Sequence, residues 1–172
     1  MIKYIAFLRG INVGNIRIKM TDLKVAFERM NFTDVKTYLQ TGNVVFNSDK
    51  TIEDIKIILE KGLSETFHYQ AYVLLYPFDI LTNIIAQCPF EKWDTHHNYI
   101  IFISNPAFFD ELNTLGKGMG EESKSIETGN GVLYWRVQIG QTLDTPFAKI
   151  MAKAKYKSSV TLRNINTLEK MI

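Results

Sequence analysis

Val35-Lys36-Thr37-Tyr38-Leu39-Gln40-Thr41-Gly42-Asn43-Val44-Val45-Phe46 is the stretch whose reading decides the fold. Val35, Thr37 and Leu39 alternate with Lys36, Tyr38 and Gln40, the period of two of a strand with one wet face. Thr41-Gly42-Asn43 is turn chemistry and Val44-Val45-Phe46 starts another strand, so the stretch predicts a hairpin. Upstream, Leu23, Ala26, Phe27 and Met30 recur at helical spacing and predict an amphipathic helix from Met20 to Met30. Before it, Ile2 to Leu8 is a nearly continuous apolar run, as expected of a strand covered on both faces. Downstream, Thr51-Ile52-Glu53-Asp54 resembles a capping box, opening a helix with Ile52, Ile55, Leu59 and Leu63 along one side. Ala71 to Tyr76 returns as a strand and Pro77 closes it. The order is β-α-β-β-α-β, the ferredoxin-like arrangement.

The pattern then starts again. A connecting helix turns Leu81, Ile84, Ile85 and Cys88 inward before Pro89 ends it. Tyr99 to Ile103 reads as a strand, and Ser104-Asn105-Pro106 opens a helix with Phe108, Leu112 and Leu115 inside. Glu121 to Glu127 and Val132 to Val137 read as strands around the hairpin signal Thr128-Gly129-Asn130-Gly131. A helix from about Thr145 to Lys155 follows. In the last segment, Leu162, Ile165, Leu168 and Ile172 share one side of a helix, with Arg163, Asn164 and Thr167 opposite. The expected fold class is α+β: two ferredoxin-like halves with a C-terminal helix. The expected segments are 1–76 and 98–157 for the halves, 77–97 for the connection, and 158–172 for a docking helix.

Composition sets the outer bounds. Hydrophobic residues at 46% and aromatics at 12% suffice for a packed core in a chain of 172 residues. Twenty basic against eighteen acidic residues give a net charge of +2, which neither demands nor excludes a polyanionic partner. A single cysteine, Cys88, excludes an internal disulfide and a thiolate metal cage, which suits a reducing cytoplasm. The apolar N-terminus meets Arg9 early and reads as a strand, not as a signal segment; no apolar run is long enough to span a bilayer. A cytoplasmic protein is the expectation.

Three ordered segments also resemble one family. They are Leu8-Arg9-Gly10-Ile11-Asn12-Val13-Gly14, Tyr38 to Phe46, and Thr161-Leu162-Arg163-Asn164-Ile165-Asn166-Thr167. Together they are similar to the bacterial domain-of-unknown-function family 1697, with its LRGINVG-type beginning and T-x-RN-x-x-T end. Asn15 stands where a second glycine often follows, and Thr41 where serine is usual. The resemblance implies a small α+β protein with ferredoxin-like subdomains, and no activity.

The Arg9–Gly14 loop combines a guanidinium fork, backbone N–H groups and a nearby helix N-terminus, the parts of an anion site. It is neither a P-loop nor a dinucleotide fingerprint, because no Gly-Lys-Ser/Thr and no Gly-x-Gly-x-x-Gly is present there. On the alternative reading, Gly10 and Gly14 shape a tight loop and Asn12 caps backbone groups. Arg9, Gly10, Asn12, Gly14, Gln40 and Asn43 are the candidate ligand residues, joined by Arg163, Asn164 and Thr167 if the ends of the chain contribute. Those last three serve equally to pin the final helix by hydrogen bonds. The leading expectation is a binding module for a small anionic ligand, a nucleotide or phosphate ester, with no cofactor.

Three alternatives stand beside it, the plainest being an interaction or assembly protein that uses open sheet edges. Lys149, Lys153 and Lys157 recur every four residues and make a basic stripe for RNA or single-stranded DNA if the helix persists, with Tyr134, Trp135 and Arg136 adding stacking surface. An enzyme on a phosphorylated substrate is the third, since catalytic groups assemble from distant segments. Gly116-Lys117-Gly118-Met119-Gly120 is no phosphate loop, because Glu121 and Glu122 follow at once. His96-His97 has no third ligand placed beside it, and no metal is expected.

Overall fold

The computed structural model describes residues Met1–Ile172, and the chain divides into two compact units, Met1–Ile80 and Leu81–Ile172. The first contains β1 (Ile2–Arg9), α1 (Met20–Arg29), β2 (Thr33–Tyr38), β3 (Asn43–Ser48), α2 (Ile52–Phe67) and β4 (Tyr72–Pro77). Its sheet has the order β2-β3-β1-β4 with every neighbouring pair antiparallel. That is the ferredoxin-like order, and the hairpin read from Val35 to Phe46 lies at one side of it. Tyr4, Ala6 and Leu8 of β1 face a core shared with Leu23 and Phe27 of α1 and with Ile55, Leu59 and Leu63 of α2. Ile5 and Phe7, on the other face, are also fully buried. This is why β1 lacks polar alternation. Phe27, Phe32 and Phe46 form a ring cluster at the centre, with centroids 4.8 to 5.9 Å apart. Truncating one of them to alanine removes about 3–5 kcal/mol of packing.

Local chemistry explains the element ends. The Thr51 side chain accepts from the Asp54 N–H at 3.2 Å, so the capping signal does open α2. The exposed edge of β4 is closed by α2: Glu60 Oε1 accepts from Val73 N–H at 3.0 Å, while Lys56 Nζ donates to the Val73 carbonyl at 2.7 Å. The same two side chains pair at 2.6 Å, so one i,i+4 ion pair occupies an edge that another strand would otherwise extend. At the opposite edge, β2 is bent at Asp34, which has a φ of 50°, and its register shifts between Thr33 and Lys36.

The second unit repeats the order with different parts. After α3 (Ile80–Ala86), whose first residue closes the first unit, come β5 (His96–Ile103), α4 (Pro106–Lys117), β6 (Ile126–Thr128), β7 (Val132–Gln138), α5 (Pro146–Met151), β8 (Val160–Asn164) and α6 (Ile165–Glu169). The sheet order is β6-β7-β5-β8, again antiparallel throughout. Trp135, Phe147, Tyr156 and Leu112 anchor its core.

Three expectations fail here. Glu121 to Glu127 is not a strand: Gly120–Ser125 forms a 3-10 turn, and only Ile126–Thr128 pairs with β7. The helix expected to reach Lys155 stops at Met151, because Lys153 adopts an extended ψ of 142° before a 3-10 turn over Ala154–Tyr156. Residues 158–172 are not one docking helix. Val160–Asn164 is β8, the fourth strand, paired from Ile103↔Val160 to Tyr99↔Asn164, and the C-terminal helix starts only at Ile165. The spacing of Leu162, Ile165 and Leu168 fits a helix, but β5 offers this backbone a ladder that no local period reveals. No helix is long and apolar enough to cross a membrane.

Candidate functional site

The first unit brings two of the sequence-selected segments together. β1 ends at Arg9, and the chain runs through Gly10–Lys19 before α1 begins. Beside that exit sits the β2–β3 turn: Phe7 is in register with Asn43, and Leu8 N–H donates to the Gly42 carbonyl at 2.8 Å. A Cβ on Gly42 would lie 2.8 Å from Ile11 Cδ1 and 2.9 Å from Leu8 Cβ, so only glycine lets the turn press so closely on the loop.

Asn12 fastens the two segments. Its Nδ2 donates to the Gln40 carbonyl at 2.6 Å, and its Oδ1 accepts from Ile18 N–H at 3.0 Å. One amide thus ties the start of the loop to its end and to a turn 28 positions away in sequence. The cost is backbone strain, since Asn12 is left-handed at φ 53° and Leu39 at φ 55°. Gly10 and Gly14 share that sign, at 76° and 56°. Asn43 is fully buried, and its Nδ2 donates to the Tyr38 carbonyl at 3.1 Å and to Thr41 Oγ1 at 2.6 Å. Asn12 and Asn43 therefore hold the cradle's shape, while Gln40 reaches Asn12 through its main chain and is itself exposed.

Arg9 stands at the foot of the loop, half-buried, and burial lowers its guanidinium pKa from the usual value. A cation stripped of part of its water interacts with an anion more strongly than a solvated one. At the far end of the loop, α1 starts at Met20 with Lys19 in the cap position and no side-chain cap bond. Its first-turn N–H groups are thus left to other partners, and Asp22 in that turn contributes the one acidic side chain there.

Arg163, Asn164 and Thr167 belong to the second unit. Arg163, expected on the polar face of a helix, lies on β8, only 8% exposed, where it donates to Thr161 Oγ1 at 2.6 Å and to the Leu162 carbonyl at 2.9 Å. Asn164 caps α6, its Oδ1 accepting from Asn166 N–H at 2.9 Å, and Thr167 lies half-buried within that helix.

The surface expected for nucleic acid does not form as read. Lys149, Lys153 and Lys157 share no continuous helix, and Lys155 is engaged by Glu111. Tyr134 and Trp135 are core residues, at 2% and 0% exposure. Arg136 lies over Trp93 and Phe90 instead, 3.6 and 4.9 Å from their ring centroids. His96 Nδ1 is 2.8 Å from Thr95 Oγ1, and His97 stands edge-on to Tyr99. Sequence reasoning passed over the Asn12–Gln40 tie and Trp93; the first had a signal in Asn12, a residue type that tolerates the left-handed region, and the second had none.

Comparison with known proteins places this architecture. Residues 1–134 match the profile of the family described as "Protein of unknown function (DUF1697)". No curated protein matches the sequence. Among solved structures, the chain is similar to the conserved bacterial protein SP0830 from Streptococcus pneumoniae, at 19% identity and a TM-score of 0.78 over 99% of this chain and 96% of that one. At that identity the likeness shows the fold. The chain belongs to the DUF1697 family.

Proposed function

We propose that this DUF1697 protein is a binding module for a small anionic ligand, a nucleotide or phosphate ester, held in the cradle between the β1–α1 loop and the β2–β3 turn. The observation that carries the reading is the ten-residue loop Gly10–Lys19, clamped by Asn12 to Gln40 and Ile18 beside the partly desolvated Arg9. Arg9 supplies the charge, and the backbone N–H groups from Gly10 to Gly14 supply donors at close approach. Asn12 and Asn43 act by position, Gln40 lines the exposed side, and the N-terminus of α1 adds its partial positive charge.

A thermal-shift panel of nucleotides, sugar phosphates and inorganic phosphate tests this, run on the protein and on Arg9→Gln. A ligand that binds only the folded state raises the midpoint with concentration, by the equivalent of about 2.7 kcal/mol at a hundredfold excess over Kd. The expected result is a concentration-dependent rise with one phosphate class that disappears in Arg9→Gln. A flat response across the panel, or a rise that Arg9→Gln leaves intact, removes the proposal.

A further inference from the structure

The second unit carries a cavity of about 250 Å³ whose walls include Trp93, Asp94, His96, Asn98, Ile139 and Asn166. Its chemistry differs from that of the Arg9 loop in three respects.

The first is an aromatic wall held in place. Trp93 is 48% exposed, yet the Arg136 guanidinium lies 3.6 Å from its ring centroid and the His96 ring stands edge-on at 5.3 Å. Cation–π and edge contacts fix the indole while about half of its surface stays open, which is what a stacking platform requires. The second is an acceptor without a donor. Asn98 is 8% exposed; its Nδ2 donates to the carbonyls of Phe90 and Glu91, both at 3.2 Å, and no protein donor reaches its Oδ1. That oxygen has almost no accessible surface, so the acceptor a ligand in the cavity meets is the exposed Asp94 carboxylate, which favours a ligand bearing N–H groups. The third is charge. Lys92, which also lines the cavity, is paired with Glu169 at 2.6 Å and so adds no net charge, and the Asp94 carboxylate on the rim disfavours a phosphate.

We propose that this cavity binds a neutral planar heterocycle with an amino edge, of the adenine or cytosine kind, stacked on Trp93 with its N–H groups directed toward Asp94. The site is separate from the Arg9 loop and stands or falls without it, because the group recognised carries no phosphate.

The test is a tryptophan-fluorescence titration of the whole protein with adenosine, cytidine and uridine. The chain has two tryptophans, and Trp135 is fully buried, so the half-exposed Trp93 reports on the cavity. Saturable quenching is expected with adenosine and cytidine, and binding roughly tenfold weaker with uridine, which has no amino group to pair. Ile139→Phe adds a ring to an exposed wall position and is expected to abolish the quenching without unfolding the chain. Trp93→Phe is expected to remove the signal altogether. Absence of saturable quenching, equal responses to the three nucleosides, or quenching that survives Ile139→Phe each overturns the proposal.

Discussion

The two units share one strand order but join their first strand to the helix that follows it in opposite ways. In the second unit the connection is Ser104-Asn105, two residues: Asn105 Oδ1 accepts from Ala107 N–H at 2.9 Å, and Pro106 takes the first helical position. In the first unit the same connection is the ten residues Gly10–Lys19, strained at Asn12 and without a side-chain cap. Connections of this kind usually take two to six residues. The second unit shows that the topology closes with two. The longer path is therefore not demanded by the fold, and the Asn12 clamp shows that it is nevertheless held in one shape. Length together with order is how a scaffold presents a binding loop.

The hairpin turns offer the sharpest way to break this comparison. Gly42 and Gly131 both have positive φ, at 78° and 73°, but a Cβ on Gly42 meets Ile11 and Leu8 while one on Gly131 meets nothing within 4 Å. Gly42→Ala is expected to destabilise by about 3 kcal/mol, strain plus overpacking, and Gly131→Ala by about 1 kcal/mol, strain alone. Urea midpoints of the two variants check this; equal losses would mean that the turn and the loop are not in close contact.

A smaller effect separates the two asparagines that govern the connections. Asn12→Ala removes the bonds to Gln40 and Ile18 and leaves alanine in a left-handed conformation, for about 2 kcal/mol. Asn105→Ala removes one helix cap, for about 1 kcal/mol. Hydrogen exchange sharpens the point: the Ile18 amide is expected to lose protection in Asn12→Ala with little change in the second unit. Uniform loss across both units would show that Asn12 supports global stability and not the loop.

A further effect is alkaline. Burial pushes the Tyr69 and Tyr134 hydroxyls up to about 12, against about 10 for an unfolded tyrosine. Above pH 10 the unfolded chain releases these protons first, so the native state holds more of them and stability falls as pH rises from 10 to 12. Tyr134 donates to the Ile84 carbonyl at 2.6 Å, whereas Tyr69 Oη has no hydrogen-bond partner. Tyr134→Phe is therefore expected to cost about 1 kcal/mol at neutral pH and Tyr69→Phe close to nothing. Each should remove one late-titrating phenol from an ultraviolet titration. A variant that keeps the full number of late-titrating phenols would assign the shift to another tyrosine.

Much of the fold was legible because its signals are local. The alternation around Thr41-Gly42-Asn43, the helical spacing of Leu23, Ala26 and Phe27, and the Thr51 cap each reside within a few residues of what they specify. The α+β class with two ferredoxin-like halves followed from their order. β8 was not legible, because Val160–Asn164 carries a spacing that suits a helix and becomes a strand only against β5, some sixty residues earlier in the chain. Glu121 to Glu127 misleads in the same way: Gly120–Ser125 is a 3-10 turn, and only Ile126–Thr128 finds in β7 the partner that makes a strand. At the candidate site, residue types pointed to the Arg9 loop and to the Gln40–Asn43 turn separately, and nothing in either showed that they meet.

What the sequence by itself determined is thus the set of elements whose hydrogen bonds close nearby: hairpins, capped helices, and the apolar strand β1 covered on both faces. What only the tertiary structure decided is which distant backbones share a ladder and which loops share a clamp. A backbone N–H or carbonyl must be satisfied, but the chain does not announce by whom. Asn12 finds Gln40, and Val160 finds Ile103, only when the sheets have formed.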